Sequence, residues 1–147
     1  MDAFFRSLAF DSRQDPIHQD EYMGYQLSAP ESFWNAGPEM VMELTNGCGT
    51  SGVIDFLVPD HLYLLLILAA CKIHDWTFSV WEDKPGFVLA NDLYRNNMQR
   101  IVQQHFEKTR LTFIDRFIRD RRMNLSIVYY QAVNNLGERF YYDTPLK

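Results

Sequence analysis

Between His61 and Val80 apolar residues recur three and four positions apart, as Leu64, Ile67, Leu68, Cys71 and Phe78, with His74 and Asp75 on the same stripe. That period predicts a buried helix, entered through Pro59 with Asp60 placed as its N-cap. Trp81 to Gly86 is a break. A second helix is predicted from about Phe87 to Lys108, with Tyr94, Met98, Ile101, Val102 and His105 on its apolar side. A third runs from about Thr112 to Leu136, with Gly137 as its C-cap. Ahead of these, Pro16, Pro30, Gly37 and Pro38 punctuate short segments, whose Phe4, Phe5, Leu8, Phe33 and Trp34 are expected to pack onto the core. Residues 46–60 form a loop with three glycines. The expected fold is mostly α and a single domain over 1–147. It divides into an N-terminal packing segment (1–45), the loop and an antiparallel helical hairpin (46–108), and a C-terminal helical region (109–147).

Composition narrows the function classes. A chain of 147 residues with 47% apolar and 22% charged residues can bury one sizeable core. Its net charge of −5 argues against a nucleic-acid binder. The longest apolar run, Leu62 to Cys71, is about half of what a bilayer span needs, so no transmembrane segment is expected. Met1-Asp2 opens no signal-peptide pattern. The chain is therefore expected to be cytoplasmic as synthesised, with action at a membrane surface or export by another route left open. Phe113, Phe117, Tyr129, Tyr130, Phe140, Tyr141 and Tyr142 are expected to pack. Arg116, Arg119, Arg121 and Arg122, offset by Asp115 and Asp120, are expected to form a solvated face.

The chemistry is concentrated around His74. Two ionisable groups, His74 and Asp75, occupy positions where the helical period calls for apolar residues. Burying them without partners would cost several kcal/mol or shift their pKa values until they neutralised, which makes the pair a candidate site. Counting outward from the break, Asp92 reaches the level of His74, roughly 8–9 Å from the turn. A carboxylate there would accept the ring proton and fix the tautomer. The stretch Asn46-Gly47-Cys48-Gly49-Thr50-Ser51-Gly52 can turn backbone carbonyls inward, the kind of oxygen donor that Ca²⁺ takes together with carboxylates. Cys71 shares the face of His74 and Asp75. A Cys48–Cys71 disulfide would close a loop of about 23 residues and stabilise by roughly 3 kcal/mol, whereas in a reducing compartment both thiols stay free.

Gly-Cys-Gly in a glycine-rich loop, then Cys71-Lys72-Ile73-His74-Asp75, then Asp92-Leu93-Tyr94-Arg95-Asn96-Asn97-Met98, resembles the secreted phospholipase A2 superfamily. The short, disulfide-poor form is most similar to its prokaryotic and phage-encoded relatives. The resemblance covers about residues 44 to 102. It implies a phospholipase A2-like helical hairpin with a calcium loop and extra flanking helices. It also implies a Ca²⁺-dependent phospholipid acyl-ester hydrolase that works on a lipid surface. His74 would be the general base and Asp92 its orienting carboxylate. Asp75 would bind Ca²⁺ with the carbonyls of Gly47, Gly49 and Ser51, and the metal and the Gly49 amide would stabilise the oxyanion. Phe78 stands where the family usually carries tyrosine, and Ser51 where it carries glycine. The alternative is a phage-type binding or structural protein that keeps the hairpin without the chemistry.

Overall fold

The computed structural model describes residues 11–45, 61–62, 65–81, 83–107 and 112–143, with the side chains of 61, 62 and 136–143 left aside. A 3₁₀ turn at Ser12–Gln14 leads into the hairpin β1 (Ile17–Tyr22) and β2 (Tyr25–Pro30), followed by the short helices α1 (Glu31–Asn35) and α2 (Pro38–Leu44). A two-residue ladder, β3 (His61–Leu62) with β4 (Leu65–Leu66), precedes three long helices: α3 (Leu68–Val80), α4 (Lys84–Glu107) and α5 (Phe113–Asp143). The described chain is thus mostly helical, with small antiparallel sheets. None of its helices is long and apolar enough to cross a membrane.

The β1–β2 hairpin was not signalled by the apolar period. Its register pairs Tyr22 with Tyr25 across the two-residue turn Met23-Gly24. Both turn residues have positive φ, 52° and 87°, the backbone that suits the twist of a tight hairpin. Glycine adopts it freely, whereas Met23 carries strain of about 1–2 kcal/mol. β1 is exposed while Leu27 to Pro30 of β2 are buried. The strand edge away from β1 is closed by side chains of α4. The Asn97 amide accepts from the Ser28 N–H at 2.9 Å and donates to the Ser28 carbonyl at 2.7 Å. Gln104, two helical turns on, does the same for Gln26, at 2.8 Å each way. Two amides on one helix face thus stand in for a third strand and blunt an edge that would otherwise pair with another chain.

The core lies among β2, α3 and α4 around Trp76, Trp81, Tyr94, Met98, Ile101 and Val102, all essentially inaccessible. Phe33 of α1 meets Trp76 edge-on at 5.9 Å, in line with its expected packing. The indole N–H groups of Trp76 and Trp81 are satisfied within one polar knot. Trp81 donates to the buried Asp15 carboxylate at 2.9 Å, and Trp76 donates to the Ser32 hydroxyl at 3.0 Å. Ser32 in turn donates to Asp15 through both its N–H (2.9 Å) and its hydroxyl (2.6 Å).

Several sequence-based boundaries shift. The first long helix begins at Leu68 rather than His61, because Leu65 and Leu66 pair as strand. A short buried apolar run has no period that separates the two states, and Ile67, at the N-cap, brings no side-chain cap. Asp60, the expected cap, lies outside the described residues. α5 continues through Gly137 to Asp143, since one interior glycine costs a helix only about 1 kcal/mol. His105 is exposed, and Phe106 faces the core in its place. Phe113 and Phe117 do not pack: they are 85% and 51% exposed. The side of α5 carrying the half-buried Ile118, Leu125 and Tyr129 and the buried Val133 faces the core, which turns those two rings outward.

The break between α3 and α4 tolerates little. Asp83 caps the first turn of α4 by accepting from the Gly86 N–H at 3.0 Å, while Ser12 donates to it through N–H and hydroxyl. A Cβ on Gly86 would lie 2.9 Å from the Trp81 Cβ and 3.0 Å from the Asp83 carboxylate. Gly86→Ala is therefore expected to destabilise by about 1–3 kcal/mol, the range for overpacking. Urea unfolding measures this, and a midpoint equal to the parent's would contradict it.

Candidate functional site

α3 and α4 pack antiparallel across the break. Phe78 meets Phe87, His74 meets Asn91 and Cys71 meets Tyr94, each step moving outward along both helices. α5 then packs antiparallel on α4, Asn134 meeting Asn91, Tyr130 meeting Asp92 and Ser126 meeting Gln99.

The site is centred on the His74 ring. It is 8% exposed, stacked on Tyr94 at 4.5 Å and tilted against Phe78 at 4.2 Å. Its Nε2 lies 2.8 Å from the Asn91 side-chain oxygen. An amide oxygen only accepts, so the ring proton sits on Nε2. Asn91, fully buried, donates its own amino group to the Asn134 Oδ1 at 2.8 Å. Nδ1 takes no hydrogen bond among the described residues, yet no buried side-chain nitrogen or oxygen among them is left unpartnered. Nδ1 is therefore the ring nitrogen left to accept a proton.

The carboxylate partner expected of Asp92 is replaced by the amide of Asn91. In the observed register Asn91 falls opposite His74, and one residue along a helix turns a side chain by about 100°. Asp92 points instead toward α5, where it accepts from the Tyr130 hydroxyl at 3.0 Å and lies 3.7 Å from Arg95. The Arg95 guanidinium also covers the Tyr130 ring at 4.5 Å.

Burial pushes the His74 pKa down from 6.5 to about 4, against a smaller upward effect of the Asn91 hydrogen bond. The imidazole is therefore neutral at pH 7. The group binds its proton more weakly folded than unfolded, so its contribution to stability is full above about pH 6.5 and is lost as pH falls from there to about 4. Within that window the stability of the protein should fall with a slope approaching about 1.4 kcal/mol per pH unit. Urea unfolding between pH 7.5 and 4.5 tests this, with His74→Phe expected to flatten the profile. An equal slope in both proteins would assign the effect to another group.

Asp75 is buried at 7% exposure on the next position of α3, and its carbonyl accepts from the Ser79 hydroxyl at 2.8 Å. Gly47, Gly49 and Ser51, the other expected calcium ligands, lie outside the described residues. Among the described residues there is no cluster of three or more His, Cys, Asp or Glu suited to a metal. Asp75 is thus the single described residue of the proposed ligand set. Cys71 is engaged in a disulfide, and Cys48, the chain's other cysteine, lies outside the described residues.

Two residues of the site were missed in the sequence. Asn91 had a signal: it is polar, four residues after Phe87 and three before Tyr94, on the apolar stripe of its helix. Asn134 had none, because nothing local ties it to a residue 43 positions away. Compared with protein-family models, curated proteins and solved structures, the chain matches none of them.

Proposed function

We propose that the chain is a Ca²⁺-dependent phospholipid acyl-ester hydrolase in which His74 activates water and Asn91 orients His74. One observation carries this reading: a buried, neutral imidazole with Nε2–H held by an amide oxygen and Nδ1 without a hydrogen bond among the described residues. A general base needs that arrangement, with one nitrogen anchored and the other free to take a proton. The adjacent buried Asp75 supports it, as does the disulfide at Cys71 on the same helix. Calcium bound by Asp75 and the carbonyls of Gly47, Gly49 and Ser51 would supply electrostatic stabilisation of an oxyanion.

A second reading, a non-catalytic module that retains the helical hairpin, is favoured by a different feature. Asn91 carries no charge, so it stabilises the imidazolium that forms when Nδ1 takes a proton only through one hydrogen bond, less than burial disfavours it, and Phe78 contributes no hydroxyl to the surroundings of His74. Fatty-acid release from phospholipid vesicles separates the two readings. Under the hydrolase reading, release requires Ca²⁺, stops in EGTA and is lost in Asp75→Asn. Absence of release from every vesicle composition, with a folded and calcium-loaded sample, would favour the module.

A further inference from the structure

We propose that Asn134, far along α5, is a positioning residue that sets the tautomer of His74 through the Asn91 amide. The proposal rests on the hydrolase reading only for its activity arm.

A side-chain amide has a donor end and an acceptor end that differ little in shape, so a buried asparagine between two partners takes its orientation from their hydrogen-bonding character. Here the Asn134 oxygen receives the Asn91 amino group at 2.8 Å. That occupies the donor end and leaves the Asn91 oxygen facing His74 Nε2, also at 2.8 Å. The oxygen in turn requires a proton on Nε2, which leaves the lone pair on Nδ1. Were Asn91 to turn over, its amino group would face Nε2, the ring proton would move to Nδ1, and that nitrogen would become a donor unable to act as a base. With Asn134 fixed, that turn would set two oxygens against each other in a contact whose Asn91 side is fully buried. The polarity of the whole chain, from Asn134 to Asn91 to His74, reverses only if both amides turn together.

Substitutions that change the hydrogen-bonding character of position 134 therefore read out at His74. Asn134→Asp offers acceptors alone and blocks reversal. Asn134→Ala and Asn134→Leu offer neither donor nor acceptor, and position 134 is only half-buried, so both should fold. Long-range proton–nitrogen NMR correlations of His74 report which ring nitrogen carries the proton, without any need for turnover. The expected result is a single Nε2–H form in the parent and in Asn134→Asp, and a mixture with the Nδ1–H form in the Ala and Leu variants. In vesicle hydrolysis kcat should fall about 10- to 100-fold in those two variants, the range for removing a group that orients a functional histidine. KM should change little. A pure Nε2–H signal in all four proteins would overturn the proposal, as would a fall in kcat without a tautomer change. A parent that shows no turnover, but whose tautomer responds to position 134 as described, would remove the hydrolase reading and leave the positioning role standing.

Discussion

His74→Ala is expected to lower fatty-acid release from phospholipid vesicles by about 100- to 10,000-fold in kcat, the usual contribution of a positioned general base. The expectation follows from the state of the ring rather than from its presence alone. His74 is neutral at the pH of the assay because burial disfavours the imidazolium. Its proton is committed to the Asn91 oxygen, and the opposite nitrogen takes no hydrogen bond among the described residues. A low pKa makes the base weak but fully available, and the amide partner orients the ring while offsetting only part of the cost that burial puts on its charge. Under the proposed hydrolase reading, slow turnover that depends strongly on His74 is therefore expected. Alanine also leaves the buried Asn91 oxygen without a partner, at about 1–3 kcal/mol. The variant must accordingly be shown folded by circular dichroism in the same buffer. Unchanged release from a folded His74→Ala sample would place the base elsewhere.

The largest effect on stability is expected at Asn97. Asn97→Leu preserves approximate volume but removes both the donor and the acceptor that serve Ser28. Each buried backbone group left unpaired costs about 1–3 kcal/mol, so the loss is about 2–6 kcal/mol against a total stability of about 5–15 kcal/mol for a domain. Gln104→Leu breaks the same pair of contacts at Gln26. There the strand is exposed, and water replaces the lost partners, so the cost should stay below about 1 kcal/mol. Urea unfolding of both variants makes the comparison. An Asn97→Leu protein no less stable than Gln104→Leu would show that these amides do not hold the hairpin to α4.

The long helices, the break between them and the burial of His74 beside Asp75 were legible in the amino-acid order. An apolar stripe three and four residues apart is a local property, and a short break forces the flanking helices to return on one another. The β1–β2 hairpin was not legible in the same way. Its twist rests on two positive-φ residues, one of them Met23, and its inner edge is satisfied by side chains about 70 residues distant. Whether Asn91 or Asp92 meets His74 was also beyond local reasoning. Both lie near the correct level, and only the packing of α3 on α4 selects between side chains about 100° apart around the helix. The role of Asn134 depends further on how α5 lies across α4. Periodicity placed the imidazole in the core from sequence alone. Tertiary packing chose a neutral amide as its partner and, by setting the Asn91 oxygen against Nε2 and the Asn91 amino group against Asn134, placed the ring's proton on Nε2.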